Sequence, residues 1–371
     1  MTSKEICIWL TGIKGIGCKK IGYLLNELDS IFDLLDCSEE KLISINGISN
    51  TDVKNIINAR DLEYIKRNVY NKLESLEKKG IWYVDYFSNE YPKRLKNIYD
   101  SPLGLYVRGT LPDEDEPVVA IVGARNCSEY GRGIASEFAR GLADIGVGVI
   151  SGLARGVDLA AHKACILAGG RSYGVLGCGI DNCYPPESIN EFMGSIEQGG
   201  VISEYGMGVL PIAGNFPMRN RIISGLCDVV LVVEAKKKSG SLITADIALE
   251  QGKGILAVPG RVTDVMSEGC NNLINNGASM ALSVEDVVKE LGNSGFCLCQ
   301  LKEKDKINKN ITLATSDKIV YDMVCLVPKS ISDIMKECNM GYQKVAQTLI
   351  KLELADMVVQ TSKGYYARVA K

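Results

Sequence analysis

The sequence has little of what a metal site requires. It contains a single histidine, His162, and its 13 cysteines include no Cys-x-x-Cys pair; the nearest two are Cys297 and Cys299. Structural zinc sites use four cysteine or histidine ligands, which usually come in closely spaced pairs. We therefore expect no metal site, and we expect the cysteines to be free thiols in a reducing compartment.

The chain also lacks long apolar runs and a strong charge of either sign. No segment approaches the roughly 18 apolar residues of a membrane span, and the start MTSKEICIWL has no long apolar stretch of the signal-peptide type. The net charge of -3 excludes a surface that is basic throughout, but it is compatible with a local basic groove. These features predict a cytoplasmic protein without a membrane span.

Nucleotide-binding fingerprints are missing where they would be expected. The stretch VVAIVGARNCSEYG (118–131) runs from an apolar strand through a glycine turn into a helical pattern. A dinucleotide fold needs G-x-G-x-x-G at this point, and a P-loop needs G-x-x-x-x-G-K-[ST]. The chain instead continues Gly123-Ala124-Arg125. The sequence therefore predicts no NAD, ATP or other cofactor, although Arg125 is suited to a phosphate of some other ligand.

Two similar segments near the N-terminus indicate a duplicated unit. Gly15-Ile16-Gly17 and Gly47-Ile48-Ser49 lie 32 residues apart (47 minus 15), and each precedes a helical pattern. This predicts a helix-hairpin-helix (SAM-like) all-helical domain over residues 1–80. Such turns can offer backbone N–H groups to a DNA phosphate, or the domain can be a structural bundle. Its 12 basic and 12 acidic residues leave both interpretations open.

The middle of the chain alternates apolar strands with helical patterns, and nearly every strand ends in a turn that carries glycine or serine. The predicted strands are VVAIV, GVGVI, SYGVL, GVIS, DVVLVV and ILAVP. Their alternation with helices predicts an α/β fold, a Rossmann-like doubly wound and mostly parallel sheet over residues 81–292, entered through an extended connector at 81–116. Such sheets bind ligands at the carboxyl ends of their strands.

The last part of the chain forms a separate predicted unit. Residues 293–317 are polar and rich in lysine, which is typical of a flexible linker. Residues 318–371 contain three helical patterns followed by two alternating segments around Lys363-Gly364. Three helices and a hairpin predict a winged-helix-like domain.

Basic and polar side chains gather at the predicted strand ends. Arginine binds phosphate bidentately and stacks on bases, and an aromatic beside arginines on the polar loop GNFPMRNRIISGL suits a single-stranded nucleic acid. Ser239-Gly240-Ser241 opens a helix that can hold an anion or can simply be capped by serine. The candidate DNA-binding residues are Gly123, Arg125, Asn126, Arg155, Phe216, Arg219, Asn220, Arg221, Ser239, Gly240 and Ser241.

Nucleophilic catalysis has weak support in the sequence. Asp158 and His162 stand four residues apart on one predicted helix, a spacing that places them on one helical face. No G-x-S-x-G elbow accompanies them. We therefore predict that the pair braces the fold and that the protein is not an enzyme.

Several motifs occur in an order that resembles one known family. VAIVGAR, ISGLARGVDLAAHKA, VLGCGIDNCYPPE, VISEYGMG, FPMRNRIISGL, VVEAKKKSGSLITADIALEQGK and GCNNLINNGA together resemble the DNA-processing protein A family, DprA or Smf, over residues 90–282. The resemblance implies a non-catalytic protein that binds single-stranded DNA, dimerises through its core, protects incoming DNA and helps to load the RecA recombinase in natural transformation.

The resemblance also implies which residues line the DNA pocket. The arginine of the glycine turn corresponds to Arg125, and the F-P-x-R-N-R segment corresponds to Phe216, Arg219, Asn220 and Arg221. One departure concerns Tyr184-Pro185-Pro186-Glu187, because some family members have a lysine after the Tyr-Pro pair.

Two other classes of protein remain as alternatives. Nucleoside monophosphate ribohydrolases of the lysine-decarboxylase-like group share a similar fold, but they need P-G-G-x-G-T-x-x-E, whereas Pro259-Gly260 is followed here by Arg261-Val262-Thr263. A protein adaptor without any nucleic-acid ligand is the other alternative, and measured binding of single strands would argue against it.

Overall fold

The computed structural model describes residues 1–294, 315–325, 328–354 and 357–368. Within these ranges, none of the helices combines the length and the apolar character that crossing a bilayer demands. The predicted linker, 293–317, lies outside the described residues except at its two ends.

The N-terminal part of the chain is helical, which confirms the predicted class of this domain. Its α-helices are α1 (Ser3–Thr11), α2 (Cys18–Glu27), α3 (Glu39–Ser44), α4 (Asn50–Asn58) and α5 (Leu62–Lys78).

The duplication predicted from the sequence is visible in the backbone. Gly15 and Gly47 both have positive φ, 86° and 90°, so each provides the left-handed turn that glycine adopts without strain. Gly17 and Ser49 then take the N-cap positions of α2 and α4. Two helical hairpins with the same turn chemistry therefore follow one another at the offset of 32 residues.

A salt bridge joins the two hairpins. The Lys20 ammonium lies 2.7 Å from the Asp52 carboxylate, and Asp52 also closes the capping box of α4 with Ser49. The hydrogen bond from Lys20, and to a smaller extent the one from Ser49, lowers the pKa of Asp52 to about 2. Lys20 is thus engaged inside the domain.

The helical domain and the sheet share one apolar core. Side chains of the domain, from Ile6 to Leu76, belong to the same buried cluster as Tyr83, Tyr106 and Val201 of the sheet. The Trp9 indole also donates a hydrogen bond to the Ala59 carbonyl and so closes the domain on itself. Removal of residues 1–80 would therefore expose part of the core of the sheet.

A nine-stranded sheet forms the centre of the described residues. Its strands are β1 (Trp82–Asp85), β2 (Gly104–Gly109), β3 (Val118–Val122), β4 (Gly148–Ser151), β5 (Ser172–Leu176), β6 (Gly200–Ser203), β7 (Val229–Val232), β8 (Gly254–Ala257) and β9 (Ser279–Met280). The strand order is β1-β2-β6-β5-β4-β3-β7-β8-β9. Strand β2 pairs antiparallel with both β1 and β6, and the other pairs are parallel.

The prediction that residues 81–116 form a purely extended connector is wrong. Residues of this segment form β1, β2 and the short helix α6 (Lys93–Lys96) and extend the sheet at one edge. The segments Trp82–Asp85 and Gly104–Gly109 carry mostly buried apolar side chains, so pairing them with β6 satisfies their backbone groups and buries those side chains together.

Helices cover both faces of the sheet, which confirms the doubly wound architecture. They are α7 (Glu129–Asp144), α8 (Val157–Leu167), α9 (Ile189–Gln198), α10 (Asn215–Leu226), α11 (Gly240–Glu250), α12 (Glu268–Asn275) and α13 (Val284–Asn293). Alternation along β3 shows the two faces. Val119 and Ile121 belong to the cluster of α7 and α8, whereas Val118 and Ala120 belong to the cluster of α10 and α11.

The C-terminal residues fold around their own small core. The elements are α14 (Thr315–Met323), β10 (Lys329–Ser330), α15 (Ile331–Cys338), α16 (Tyr342–Leu354), β11 (Val358–Ser362) and β12 (Tyr365–Arg368). The strands form an antiparallel sheet in the order β10-β12-β11. Helix α14 begins three residues before the predicted boundary at residue 318. Three helices and a hairpin agree with the winged-helix-like prediction.

Candidate nucleic-acid interface

A cavity of about 660 Å³ opens at the carboxyl ends of the parallel strands. Turns that follow β3, β4, β5, β6 and β7 contribute to its wall, as expected for an open α/β sheet. Nine of the eleven residues predicted from the sequence line it, and these are Gly123, Arg125, Asn126, Phe216, Arg219, Asn220, Ser239, Gly240 and Ser241. Arg155 and Arg221 do not belong to the wall.

Hydrogen bonds and close packing fix the turn after β3, on which Arg125 is exposed. The Ser128 side chain caps α7, and both its backbone N–H and its hydroxyl donate hydrogen bonds to the buried Glu234 carboxylate. Gly156 approaches the Ala124 and Arg125 carbonyls with positive φ, in a space that leaves no room for a Cβ. Arg125 is therefore exposed on a turn that is itself fixed.

An aromatic pair stands beside this arginine. The Arg125 guanidinium lies 5.4 Å from the centre of the Phe216 ring, and the Tyr184 ring lies 5.7 Å from the same ring with a tilt of 34°. Gly177 makes room for Phe216, since a Cβ at that position would come within 2.9 Å of the ring. Tyr184 was not among the predicted residues, although it lies in a quoted motif.

The F-P-x-R-N-R segment is helical, so the prediction of a polar loop is wrong. It forms the first two turns of α10. Pro217 is compatible with the first turn because the N–H groups there have no partner within the helix. The helical period separates the two arginines: Arg219 lines the cavity, whereas Arg221 does not.

Arg219 is a floor residue of the cavity. Only 5% of it is exposed, and its guanidinium donates a hydrogen bond of 2.9 Å to the Val175 carbonyl. Burial, against the opposing effect of Asp158 and together with the nearby Arg125, lowers the pKa of Arg219 to about 10. Its Nε has no hydrogen-bond partner, so Arg219 contributes positive potential from beneath the exposed groups.

Arg221 is placed away from the cavity, which contradicts its predicted direct role. It is 1% exposed. Its guanidinium pairs with Glu204 at 2.5 Å and with Asp100 at 3.3 Å. The two carboxylates belong to the turn after β6 and to the segment between β1 and β2. Arg221 therefore fixes α10 against neighbouring segments.

A basic segment and a helix N-terminus also line the cavity. Lys236 and Lys238 line the cavity next to Ser239, which caps α11 through a hydrogen bond from the Ser241 N–H. The N-terminus of a helix carries partial positive charge, which favours an anion. The Lys236-Lys237-Lys238 run was visible in the sequence, yet the two lysines were not predicted as site residues.

Comparison with known proteins shows the family of the chain. The family model described as DNA recombination-mediator protein A matches residues 82–292, which is more than half of the chain. The chain belongs to this family. A second model, a SAM-like helix-hairpin-helix tandem, matches residues 10–61 and confirms the class of the N-terminal domain.

Curated relatives and solved structures extend the match. Protein Smf of Escherichia coli (strain K12) is 40% identical over 310 residues, which are 82% of each chain. DNA processing protein DprA of Streptococcus pneumoniae is 43% identical over 202 residues, 54% of this chain and 71% of the relative. The X-ray structure of DNA processing protein A from Streptococcus pneumoniae matches with a TM-score of 0.66 at 32% identity, covering 78% of this chain and 98% of that one.

A further solved structure is one of a relative that binds single-stranded DNA. It describes the single-stranded DNA binding mode of DNA processing protein A from Helicobacter pylori, and it matches with a TM-score of 0.51 at 28% identity over 57% of this chain and 96% of that one. The resemblance to DprA and Smf noted in the sequence is thereby confirmed.

The departure from some DprA proteins after the Tyr-Pro pair has a structural counterpart. Glu187 occupies the segment where those members have a lysine, and its carboxylate forms an ion pair with Arg155. Arg155 is exposed but is not part of the wall. The charge of Arg155 is thus neutralised by Glu187, whereas Lys236 and Lys238 line the cavity as exposed cations.

Asp158 and His162 are both buried in this DprA-family core, although Asp158 reaches the cavity wall. His162 is fully buried, and its Nδ1 lies 2.8 Å from the Ser172 hydroxyl. Asp158 accepts a hydrogen bond from the Gly152 N–H, and burial raises its pKa against the effect of Arg219. Asp158 thus anchors the turn after β4, and His162 faces Ser172, which is not part of the cavity wall.

The single histidine makes stability sensitive to acid. Burial, and then Arg219, lowers the pKa of His162 to about 3, whereas the unfolded chain takes up this proton near pH 6.5. Stability present above about pH 6.5 is therefore lost as the pH falls toward 3. Between about pH 7 and pH 5 we expect His162 to remove about 2 kcal/mol from the free energy of unfolding.

Denaturant unfolding of the wild type and of His162→Gln at the two pH values measures this loss. The raised pKa of Asp158 acts in the opposite direction, but it is present in both proteins and cancels in the comparison. The wild type should lose about 2 kcal/mol more than the variant. Equal losses would show that His162 does not stay neutral in the folded protein.

Proposed function

We propose that this protein binds single-stranded DNA in the cavity at the carboxyl edge of the sheet. The observation that carries the proposal is the exposed Arg125 guanidinium beside the rings of Phe216 and Tyr184. Bases of a single strand are free to stack on aromatic side chains, while arginine and lysine neutralise the backbone. The single-stranded DNA described for the Helicobacter pylori relative supports the same class of ligand.

The charges of the cavity suit a phosphate backbone. Arg125, Lys236 and Lys238 are exposed cations on its wall, and the first turn of α11 adds the positive end of a helix. The acidic residue of the wall, Asp158, is buried beneath Arg219. An anionic strand therefore meets cations first.

We further propose that the protein acts without catalysis. As a member of the recombination-mediator family, it would protect incoming single strands and help to load the RecA recombinase onto them in the cytoplasm during natural transformation. Release of free base from nucleoside monophosphates by the purified protein would instead favour the alternative ribohydrolase. Purification of RecA together with the protein and DNA, and faster filament formation in its presence, test the loading role.

The proposal includes a homodimer through the sheet domain, because two cavities on one strand raise avidity through effective concentration. The full chain should give the mass of a dimer in light scattering. A monomer at every concentration that still binds DNA at full strength would separate binding from assembly. The boundaries of the sheet domain, residues 81–292, are also part of this proposal.

Binding should depend on salt in proportion to the number of phosphates neutralised. Three exposed cations line the cavity, and each phosphate neutralised on a single strand contributes about 0.7 to the slope. The logarithm of the association constant should thus fall with the logarithm of salt concentration with a slope of about -2 per protein chain. Titrations of a labelled oligonucleotide at several salt concentrations give this slope, and a slope near zero would contradict an ionic interface.

A further inference from the structure

A second cavity, of about 440 Å³, lies between the helical domain and the segment that joins β1 to β2. Its wall carries four aromatic side chains, two lysines and two aspartates. These residues are Tyr23, Tyr86, Phe87, Tyr99, Lys19, Lys96, Asp29 and Asp100. We call it the junction groove.

The aromatic side chains of the junction groove are accessible. Tyr99 is 94% exposed and Phe87 is 42% exposed, although burial of an aromatic side chain is favourable. The Tyr86 and Phe87 rings meet edge to face at 5.5 Å, and the Lys96 ammonium lies 5.5 Å from the centre of the Tyr86 ring. Rings and a cation thus stand together on an open surface.

The wall of the groove places two cations beside its aromatic rings. Asp100 shares the buried Arg221 guanidinium with Glu204, so its charge is partly compensated from within the protein. Of the other charged residues on the wall, Lys19 and Lys96 are positive and the exposed Asp29 is negative. Two cations beside several rings match a nucleic-acid single strand better than an apolar peptide segment.

The junction groove and the first cavity open along the same edge of the sheet. Strand β2 is antiparallel to β1 and to β6, so β1 runs parallel to β6, and Tyr86 and Phe87 follow its carboxyl end. Strand β5, whose end faces Phe216, is three positions from β1 in the sheet order. Three strand spacings are about 14 Å, a distance that at most about four nucleotides of a single strand cover at ~3.4 Å or more each.

We propose that the junction groove is a second subsite for the same single strand, which crosses the carboxyl edge of the sheet from the first cavity to the helical domain. This inference rests on the proposed function. Arg221 then has a defined part as a positioning residue, because it links α10, which lines the first cavity, to Asp100, which lines the second.

The test compares full-length variants on strands of two lengths. Tyr99→Ala combined with Phe87→Ala removes exposed rings of the groove, and Tyr70→Ala removes an aromatic that is 68% exposed on α5 and is not part of the groove. On a strand of about 18 nucleotides the double variant should bind about 10-fold more weakly than the wild type, since each stacked base contributes substantially. On a strand of about 2 nucleotides, which is too short to reach from the first cavity to the groove, it should match the wild type.

Each outcome decides between the two claims. Wild-type protein that binds neither strand overturns the proposed function and this inference with it. Normal binding of the long strand by the double variant, with loss in Phe216→Ala, overturns the junction groove alone and leaves it to a protein partner. Photo-crosslinking of a long strand substituted with 5-iododeoxyuridine supplies a second readout: crosslinked peptides that carry Phe87 or Tyr99 support the proposal, and crosslinks confined to the first cavity contradict it.

Discussion

Replacement of Arg125 with alanine is expected to weaken the binding of single-stranded DNA by about 1–3 kcal/mol, or roughly 5- to 150-fold, with little change in stability. The side chain is exposed, so its removal leaves no buried gap, but it carries both the charge and the planar surface next to Phe216. Arg125→Lys keeps the charge and should recover part of the loss.

Fluorescence anisotropy with a labelled oligonucleotide measures the effect of Arg125→Ala. Arg67→Ala is the matched control, because it removes an exposed arginine on α5 that belongs to neither cavity wall. Equal weakening in both variants would mean that Arg125 contributes only to the general charge of the protein. Normal binding by a folded Arg125→Ala variant would place the DNA elsewhere.

Replacement of Arg221 with alanine is expected to act on folding. The change leaves the Glu204 carboxylate without its cation, and Asp100 loses its partner as well. Removing one partner of a buried ion pair destabilises a protein by about 3–5 kcal/mol, because the remaining charge stays uncompensated. Denaturant unfolding measures the loss, and Arg132→Ala, at an exposed arginine paired with the exposed Glu129, provides a comparison.

The same variant checks the assignment of Arg221. If Arg221 only positions α10, weakened DNA binding should accompany a lower denaturation midpoint. A variant of normal stability that has lost DNA binding would instead restore the direct contact that the family resemblance implied.

The arrangement of the core was predictable because its strands are unambiguous. Strands such as VVAIV are buried on both faces and end in glycine turns, so the local sequence and the final environment agree. The helical duplication was equally readable, since Gly15 and Gly47 are needed for the same backbone turn. Strands β1 and β2 were missed because Pro, Asp and Tyr dominate the connector and mask two short strands whose pairing depends on β6.

The site was harder to predict than the fold. The sequence correctly brought Arg125, Phe216 and Ser239 to one edge, because all follow parallel strands. It could not separate Arg219 from Arg221, since that separation depends on α10 being helical and on two distant carboxylates, Glu204 and Asp100. Nor did a run of lysines reveal that Lys236 and Lys238 line the cavity.

The central claim is that the carboxyl edge of the sheet binds single strands. A competition titration, in which unlabelled single-stranded and blunt duplex DNA of equal length displace a labelled single strand from the full-length protein, tests it most directly. Stacking on Phe216 and Tyr184 requires unpaired bases, so the single strand should compete at a much lower concentration than the duplex, and Arg125→Ala should reduce this preference. Equal competition by both forms would contradict the account.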